Sequence, residues 1–406
     1  MVLKIDLSKF KVYALFLFIT FPALYAWIKE IIGSASLAHG LLVIICYGFF
    51  VASFTIAKDS INAIYIFFLF IILLVFGLYG LINFSDHYLL ESYALPSTIT
   101  FFSGMCGFYF MVCQRDAEDV KKAMKIIAII LTIYYYYYSL DLVGSAEYEF
   151  GYSMGYGFHV LFPCLLNANF ALEKRERKKW LSFFWWVMFA ICMLLIFIYG
   201  SRGPIIGVVT FFVLKYGISF MLDKRGSPLK KLIVSIGIAI IFFLLIIYAE
   251  TFFLMLAKYL EPAGIKSRTI TRFLNSSMTY DNGRNDIFKT ALSMMGILGN
   301  GPFYDQYLWG VGNYCHNFFV EILFDFGAVG GGAILIALFT AVVKIVSRSA
   351  GNPWYELFLV YLSYCIGRLM FSGTFWSETN FWILIALGVL CLKRPDIGGN
   401  AVHGFN

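Results

Sequence analysis

Stretches of about twenty apolar residues alternate with short polar connections along most of this chain. A run of that length is what an α-helix needs to cross a lipid bilayer, where every backbone hydrogen bond must be satisfied internally. The pattern therefore predicts an all-α, polytopic integral membrane protein with about 12 transmembrane helices. The predicted spans cover residues 12–32, 38–57, 61–83, 96–114, 124–143, 152–172, 180–200, 203–222, 232–248, 328–346, 354–372 and 376–392.

Composition leads to the same prediction, because apolar residues make up 61% of the chain and charged residues only 14%. A soluble domain has about a quarter of its residues charged, since its surface must be wetted. A chain with so few charged groups cannot cover a surface of this size in water. The main partner implied by composition is the lipid bilayer.

The basic residues are distributed unevenly between the two sides of the predicted membrane. Twenty-one lysines and arginines lie in the short connections on one side, and three lie in the short connections on the other. Because cytoplasmic loops carry the excess of basic residues, this asymmetry places both termini in the cytoplasm. The net charge of +7 then reflects membrane orientation, and it gives no reason to expect a nucleic-acid partner.

One outer connection is much longer than the others and divides the chain into three parts. Residues 1–248 form the first nine spans, residues 249–315 form the long outer loop, and residues 316–406 form the last three spans. Loops of this length are usually functional or disordered. Apolar residues recur at helical spacing from Ile287 to Met295, after a cap at Asp281 or Asn282. These features predict an ordered outer subdomain with a helix at the membrane surface.

Three arginines on the outer side are candidates for binding an anion. Arg202 stands in a tight Gly-Ser-Arg-Gly-Pro turn between two spans, and Arg284 lies in the first turn of the predicted surface helix. Helix beginnings and guanidinium groups both favour phosphate. Arg202 could instead be an interfacial anchor for lipid phosphate, and Arg284 could pair with a neighbouring aspartate. Arg272 adds to the same positive field or is a solvated charge.

His316 and Glu321 are the candidates for proton transfer. His316 stands beside the long outer loop at the beginning of a span, where either a structural or a catalytic role is open. Glu321 and Asp325 are four residues apart and share one helix face near the membrane surface, where ionised groups are costly. On a continuous helix His316 lies well round from that face, so a His–Glu dyad does not follow from spacing alone.

The absence of several motifs from the sequence disfavours some kinds of chemistry. The chain has no Asp-x-Asp pair, no HExxH motif and no Walker loop, which disfavours metal-dependent and nucleotide-driven reactions, and no cofactor is expected. Seven of the eight cysteines lie in or at the edge of apolar runs, as expected of small apolar fillers. The aromatic run Tyr134 to Tyr138 is typical of an interfacial belt, with sugar stacking as the alternative.

The order of these motifs resembles one family. The outer Ser-Arg-Gly turn is followed by the long loop with Gly-Arg-Asn-Asp-Ile-Phe-Lys and Leu-Gly-Asn-Gly-Pro, and then by His316-Asn317, Glu321 and a glycine-rich stretch. This arrangement, over about residues 195–335, is similar to the superfamily of O-antigen ligases and Wzy-type O-antigen polymerases. The first five spans match that superfamily only in hydropathy.

The resemblance implies a metal-independent, inverting glycosyltransferase of the GT-C-like membrane class, multi-pass in the bacterial inner membrane. Its long loop would be periplasmic, and its substrate would be an undecaprenyl-diphosphate-linked oligosaccharide. By carry-over, Arg202 and Arg284 would hold the diphosphate, and His316 would be the acid/base or orienting residue, with Glu321 competing as base. Arg272 and Gly283 match an Arg-x10-Gly spacing described for the polymerases. A chain-length regulator protein is the protein partner implied.

Three functions remain open at this point. The residues around His316 look more like those of the polymerases, which join one lipid-linked repeat unit to another. A ligase would instead transfer the glycan to lipid A–core. A flippase for the same lipids would place ionisable residues near mid-membrane and show halves related by a repeat. Charges near the middle of the predicted spans are nearly absent, which disfavours the flippase.

Overall fold

A computed structural model of the chain describes residues 7–56, 60–82, 96–142, 154–173, 179–218, 284–310, 314–348 and 351–393, with residues 251, 254–255 and 258–259. In this part of the chain every regular element is helical and no strand occurs, which confirms the all-α prediction there. The predicted span 232–248 lies outside the described residues, as does the part of the predicted loop 249–315 that runs from 260 to 283.

The helices follow the predicted apolar runs closely. In chain order they are α1 (Leu7–Ile19), α2 (Phe21–Ile32), α3 (Ala35–Ile56), α4 (Ser60–Ile82), α5 (Pro96–Val112), α6 (Ala117–Leu142), α7 (Met154–Ala171), α8 (Lys179–Tyr199), α9 (Arg202–Phe212), α10 (Arg284–Met294), α11 (Tyr304–Trp309), α12 (Phe318–Phe326), α13 (Gly332–Arg348), α14 (Tyr355–Leu369) and α15 (Thr379–Lys393). Two π-helical segments interrupt them, Val213–Ile218 after α9 and Gly327–Gly331 between α12 and α13.

Four helical runs among the described residues are long and apolar enough to cross a membrane. They are Ala35–Thr55, Ala117–Leu140, Lys179–Tyr199 and Phe318–Ser347, and the bent pair α1–α2 makes a fifth if it is taken as one span. These runs indicate a membrane protein. Further apolar helices are shorter, so the total of twelve spans stays a prediction.

The predicted first span is a bent pair of helices rather than one straight helix. Helices α1 and α2 meet at Thr20 with an angle of 72°. Pro22 stands in the first turn of α2, where its missing N–H is harmless but where it cannot continue α1. The Thr20 hydroxyl donates to the Phe16 carbonyl at 2.7 Å, which closes the end of α1. Proline and the buried threonine together account for the bend.

The predicted span 328–346 begins about ten residues earlier than the hydropathy pattern indicates. The helical run starts at Phe318 and passes through the π-helical segment into α13. Hydropathy missed this first part because it contains Glu321 and Asp325. Both side chains are completely buried within the protein, so neither carboxyl is exposed to lipid.

The described residues form two compact units. The first contains those up to Ile130, those from Arg284 to Cys365 and those from Leu369 onward, and in it α5 packs along α15. The second contains those from Leu131 to Tyr259 together with Ile366–Arg368, and in it α7 packs along α8 and against α9. All eight cysteines are free, and all but Cys46 are buried, which agrees with a filler role.

Candidate functional site

The residues around His316 form the connection between α11 and α12 in the first unit. His316 itself is half-buried and adopts a left-handed backbone conformation with φ of 54°. Its ring packs against that of Tyr314 at a centroid distance of 4.2 Å. Asn317 then caps α12, because its side-chain oxygen accepts from the backbone N–H groups of Phe319 and Val320 at 3.0 and 3.2 Å. A non-glycine residue in this conformation is uncommon and is often found at functional sites.

Glu321 and Asp325 share one face of α12, as their spacing predicts, and both side chains are completely buried. Glu321 accepts hydrogen bonds from the Thr374 hydroxyl and, at 3.4 Å, from the backbone N–H of Phe375. Asp325 accepts a hydrogen bond of 2.6 Å from the Trp376 indole. The donors all belong to the connection between α14 and α15. The two carboxyls therefore fix that connection against α12.

Asp305 is a third buried carboxyl beside them, and the sequence reasoning missed it. It is completely buried at the start of α11, and it accepts from the backbone N–H groups of Gln306 at 2.8 Å and Cys315 at 3.1 Å. Burial raises the pKa of Asp305 to about 6, although these hydrogen bonds oppose the shift. The signal was present, since Asp305 is the only acidic residue between Asp286 and Glu321.

Asp305, Glu321 and Asp325 are called the carboxyl cluster here. The Cys315 thiol lies within electrostatic reach of all three, and its pKa is raised first by burial and then by these carboxyls. Among the described residues no three histidine, cysteine, aspartate or glutamate side chains are placed to hold a metal ion. The arrangement supports the backbone beside His316, because Asp305 holds the N–H of Cys315.

The Leu-Gly-Asn-Gly-Pro motif closes over the end of α12. The N–H groups of Asn300 and Gly301 donate to the carbonyls of Phe324 and Asp325 at 3.0 and 2.8 Å. In return, Ala328 donates to the Gly296 carbonyl at 3.2 Å. These bonds satisfy carbonyls that α12 leaves unpaired where its regular hydrogen bonding changes to a π-helical segment.

Two glycines make this close approach possible. Gly299 and Gly327 have φ of 81° and 72°, in the left-handed region that favours glycine. A Cβ on Gly299 would overlap the backbone of Asp325 and Gly327, and a Cβ on Gly327 would overlap the backbone of Ile297 and Gly299. The segment from Gly296 to Gly301 is called the glycine strap here.

The predicted anion-binding arginines are located only by their backbone. Arg202 is the first residue of α9 in the second unit, where the helix presents free N–H groups after the extended Ser201. Arg284 lies in α10 in the first unit, and the residues directly before it lie outside the described residues. The side chains of both arginines, and the whole of Arg272, lie outside the described residues. Diphosphate binding by these residues stays a prediction.

Glu378 is a partly exposed carboxyl that the sequence analysis placed inside the predicted span 376–392. Helix α15 begins only at Thr379, so Glu378 lies just before it. Its side chain accepts from the Tyr364 hydroxyl at 3.3 Å and from the Asn380 side chain at 3.1 Å. On the same connection, Ser372 shares a hydrogen bond of 3.0 Å with the Tyr314 hydroxyl. The polar run Ser-Glu-Thr-Asn is the signal that marks this helix beginning.

No model of a known protein family matches the chain, and no curated protein is significantly similar to it.

Proposed function

We propose that this protein is a membrane glycosyltransferase that joins lipid-diphosphate-linked oligosaccharide repeat units, as an O-antigen polymerase does. The proposal rests first on the order of motifs from the Ser-Arg-Gly turn to His316. The observation that carries it furthest is the glycine strap, because it ties the loop motif to the helix that follows His316 through backbone hydrogen bonds. Two motifs that are separate in sequence belong to one packed element.

The proposed reaction is a single displacement at the anomeric carbon of the donor sugar. The acceptor hydroxyl attacks that carbon, the bond from carbon to the diphosphate oxygen breaks, and the lipid diphosphate leaves. Charge develops on the leaving oxygen, where Arg202 and Arg284 would stabilise it without a metal ion. Arg202 stands at a helix beginning, which favours an anion there.

His316 is better suited than Glu321 to take the proton of the acceptor hydroxyl. The His316 side chain is half-buried, whereas the Glu321 carboxyl is completely buried and hydrogen-bonded to the Thr374 hydroxyl and the Phe375 backbone. A general base must come within hydrogen-bond reach of the proton that it removes. We therefore propose that His316 removes the proton of the acceptor hydroxyl and that Glu321 supports the neighbouring backbone.

The proposed setting is the bacterial inner membrane, with both termini in the cytoplasm and the long loop in the periplasm. The uneven distribution of lysine and arginine supports this orientation. A chain-length regulator would be the protein partner, and the lipid-linked oligosaccharide would be both donor and acceptor.

Deletion of the gene tests the proposal most directly. We expect the lipopolysaccharide of the deletion strain, separated on a gel, to consist of core bearing a single repeat unit. Core with no repeat unit would show that the protein is a ligase. An unchanged ladder of chain lengths would show that the protein does not act in this reaction.

Purified protein separates an enzyme from a carrier. We expect protein in detergent, with lipid-linked repeat units and no ion gradient, to lengthen the glycan. A flippase moves its substrate across a membrane and forms no new glycosidic bond, so the glycan would keep its original length.

A further inference from the structure

The glycine strap carries exposed apolar side chains. Ile297 and Leu298 are 72% and 67% exposed, and both lie in a short non-helical segment of the predicted loop. Val329 is 66% exposed, and its backbone N–H donates to the Ile297 carbonyl at 3.3 Å. Ile297, Leu298 and Val329 are called the strap edge here. Single exposed apolar residues are ordinary, but three at adjoining backbone positions indicate a contact surface.

The helical run that follows the strap places the strap edge at one boundary of the hydrocarbon core. The run Phe318–Ser347 has 30 residues and is about 45 Å long, whereas the core is about 30 Å thick. Near its other end the exposed Lys344 must reach water or headgroups with its ammonium group. About 20 residues back from Lys344 or from the end of the run, the core ends between Asp325 and Ala328. The strap is hydrogen-bonded to the run at these residues.

Helix α4 places the strap at the same level. The Tyr79 hydroxyl donates to the Leu298 carbonyl, and the Tyr79 ring contacts Phe326 at a centroid distance of 6.3 Å. Tyr79 lies in the last turn of α4, a helix of 23 residues, about 34 Å, without a charged residue. A helix of this length just crosses the hydrocarbon core, with Tyr79 at the boundary where tyrosine is enriched. Leu78 and Leu81 of the same turn are also exposed.

We infer that the strap edge inserts into the lipid bilayer, at the boundary between the hydrocarbon core and the headgroups. Irregular backbone is tolerated at this depth only where protein groups satisfy its polar atoms. The strap meets this condition at both exposed residues, because the Ile297 carbonyl accepts from Val329 and the Leu298 carbonyl accepts from Tyr79. The partner of the strap edge is therefore the acyl chains of membrane lipid.

The strap edge differs from the neighbouring surface of α10. On that helix the side chains of Asp286 and Lys289 are 85% and 80% exposed and form an ion pair at 4.0 Å, as expected of a face in water. Insertion of the strap edge also fixes the height of the adjoining helix. Helix α12 begins seven residues before Asp325, so Phe318 stands about 10 Å beyond the hydrocarbon boundary, at the water side of the headgroups.

Spin labels report the environment of the strap edge directly. The full-length protein is reconstituted in vesicles of phosphatidylethanolamine and phosphatidylglycerol, in a Cys46→Ala background because the other seven cysteines are buried. Nitroxide labels are attached to Ile297→Cys, to Leu298→Cys and, as the control, to Asp286→Cys. Power-saturation EPR compares collisions with oxygen, which concentrates in hydrocarbon, and with a water-soluble nickel chelate. We expect the ratio of oxygen to nickel collisions to be several-fold higher for the two strap-edge labels than for the control.

The possible outcomes decide between lipid, water and protein as the surroundings of the strap edge. A ratio at Ile297 and Leu298 as low as that at Asp286 would place the strap in water and overturn the inference. Labels reached by neither probe would show that protein covers the strap edge, which overturns the inference as well. The measurement involves no glycosyl transfer, so its result is independent of the proposed function.

Discussion

The carboxyl cluster of the first unit and the stacked tyrosines of the second use polar side chains in different ways. The three carboxyls are completely buried and accept hydrogen bonds from backbone and side-chain donors of neighbouring segments. Among the tyrosines, Tyr156 of α7 is buried and donates its hydroxyl to the Tyr135 carbonyl of α6, whereas Tyr138 is 38% exposed and stacks on both Tyr134 and Tyr156. The carboxyls hold a connection against a helix by hydrogen bonds, and the tyrosines hold two helices together mainly by ring packing.

Both regions depend on glycine at a close backbone contact. In the first unit Gly299 and Gly327 meet where the glycine strap closes over α12, and in the second Gly157 and Gly200 meet between α7 and α8. The contact in the first unit also requires left-handed backbone, and that in the second does not. The first contact should therefore be the more sensitive to substitution.

The largest effect is expected for Gly299→Ala. Its methyl group would overlap the backbone of Asp325 and Gly327 at a φ that alanine disfavours, so we expect a loss of about 4 kcal/mol or more. The folded fraction after heating, measured by size-exclusion chromatography in detergent, checks this. Gly296→Ala is the control, because the nearest atom to its Cβ lies at 3.9 Å. Equal stability of the two variants would show that the glycine strap does not depend on this contact.

Glu321→Ala tests whether this carboxyl supports the backbone. The substitution leaves the Thr374 hydroxyl and the Phe375 N–H without their acceptor and opens a cavity, at a cost of about 3 kcal/mol. Glu321→Gln keeps an acceptor oxygen and should cost about 1 kcal/mol. We expect activity of the purified protein to follow stability in this pair. A stable Glu321→Gln variant without activity would return the role of base to Glu321.

Asp305 should make stability depend on pH. Its pKa is raised from 3.8 to about 6 in the folded protein, so the folded state holds the proton more tightly. The contribution of this group to the free energy of unfolding is fully present below about pH 4 and is lost as the pH rises through 6. The change is on the order of 2–3 kcal/mol. Asp305→Asn should reduce the dependence of the unfolding temperature on pH between pH 4 and 7. Asp286→Asn, at an exposed residue, should retain the wild-type slope.

The smallest effect on stability is expected for His316→Asn. Asparagine tolerates the left-handed backbone at this position, so the free energy of unfolding should change by less than about 0.5 kcal/mol, as measured from the unfolding temperature. Glycan lengthening should fall by about 100-fold, the usual contribution of a general base. Full activity of the variant would exclude His316 from proton transfer and direct attention to the partly exposed Glu378.

Several local features could be predicted from the sequence because they depend on neighbouring residues. The helix Arg284–Met294 follows from apolar spacing, and the shared face of Glu321 and Asp325 follows from helical periodicity. The bend at Thr20 was missed although Pro22 signals it. Asp305 was missed because a lone carboxyl in an aromatic stretch carries no periodic pattern.

The sequence by itself determined that this chain is helical and suited to lipid, because hydropathy and helical period are properties of consecutive residues. It also identified His316, Glu321, Arg202 and Arg284 as the residues to examine. Only the tertiary structure decided what Glu321 and Asp325 contact, since their donors lie about fifty residues away on another connection. It also decided which tyrosine of the run stacks on a second helix, because Tyr138 meets the ring of Tyr156 only where α7 packs beside α6.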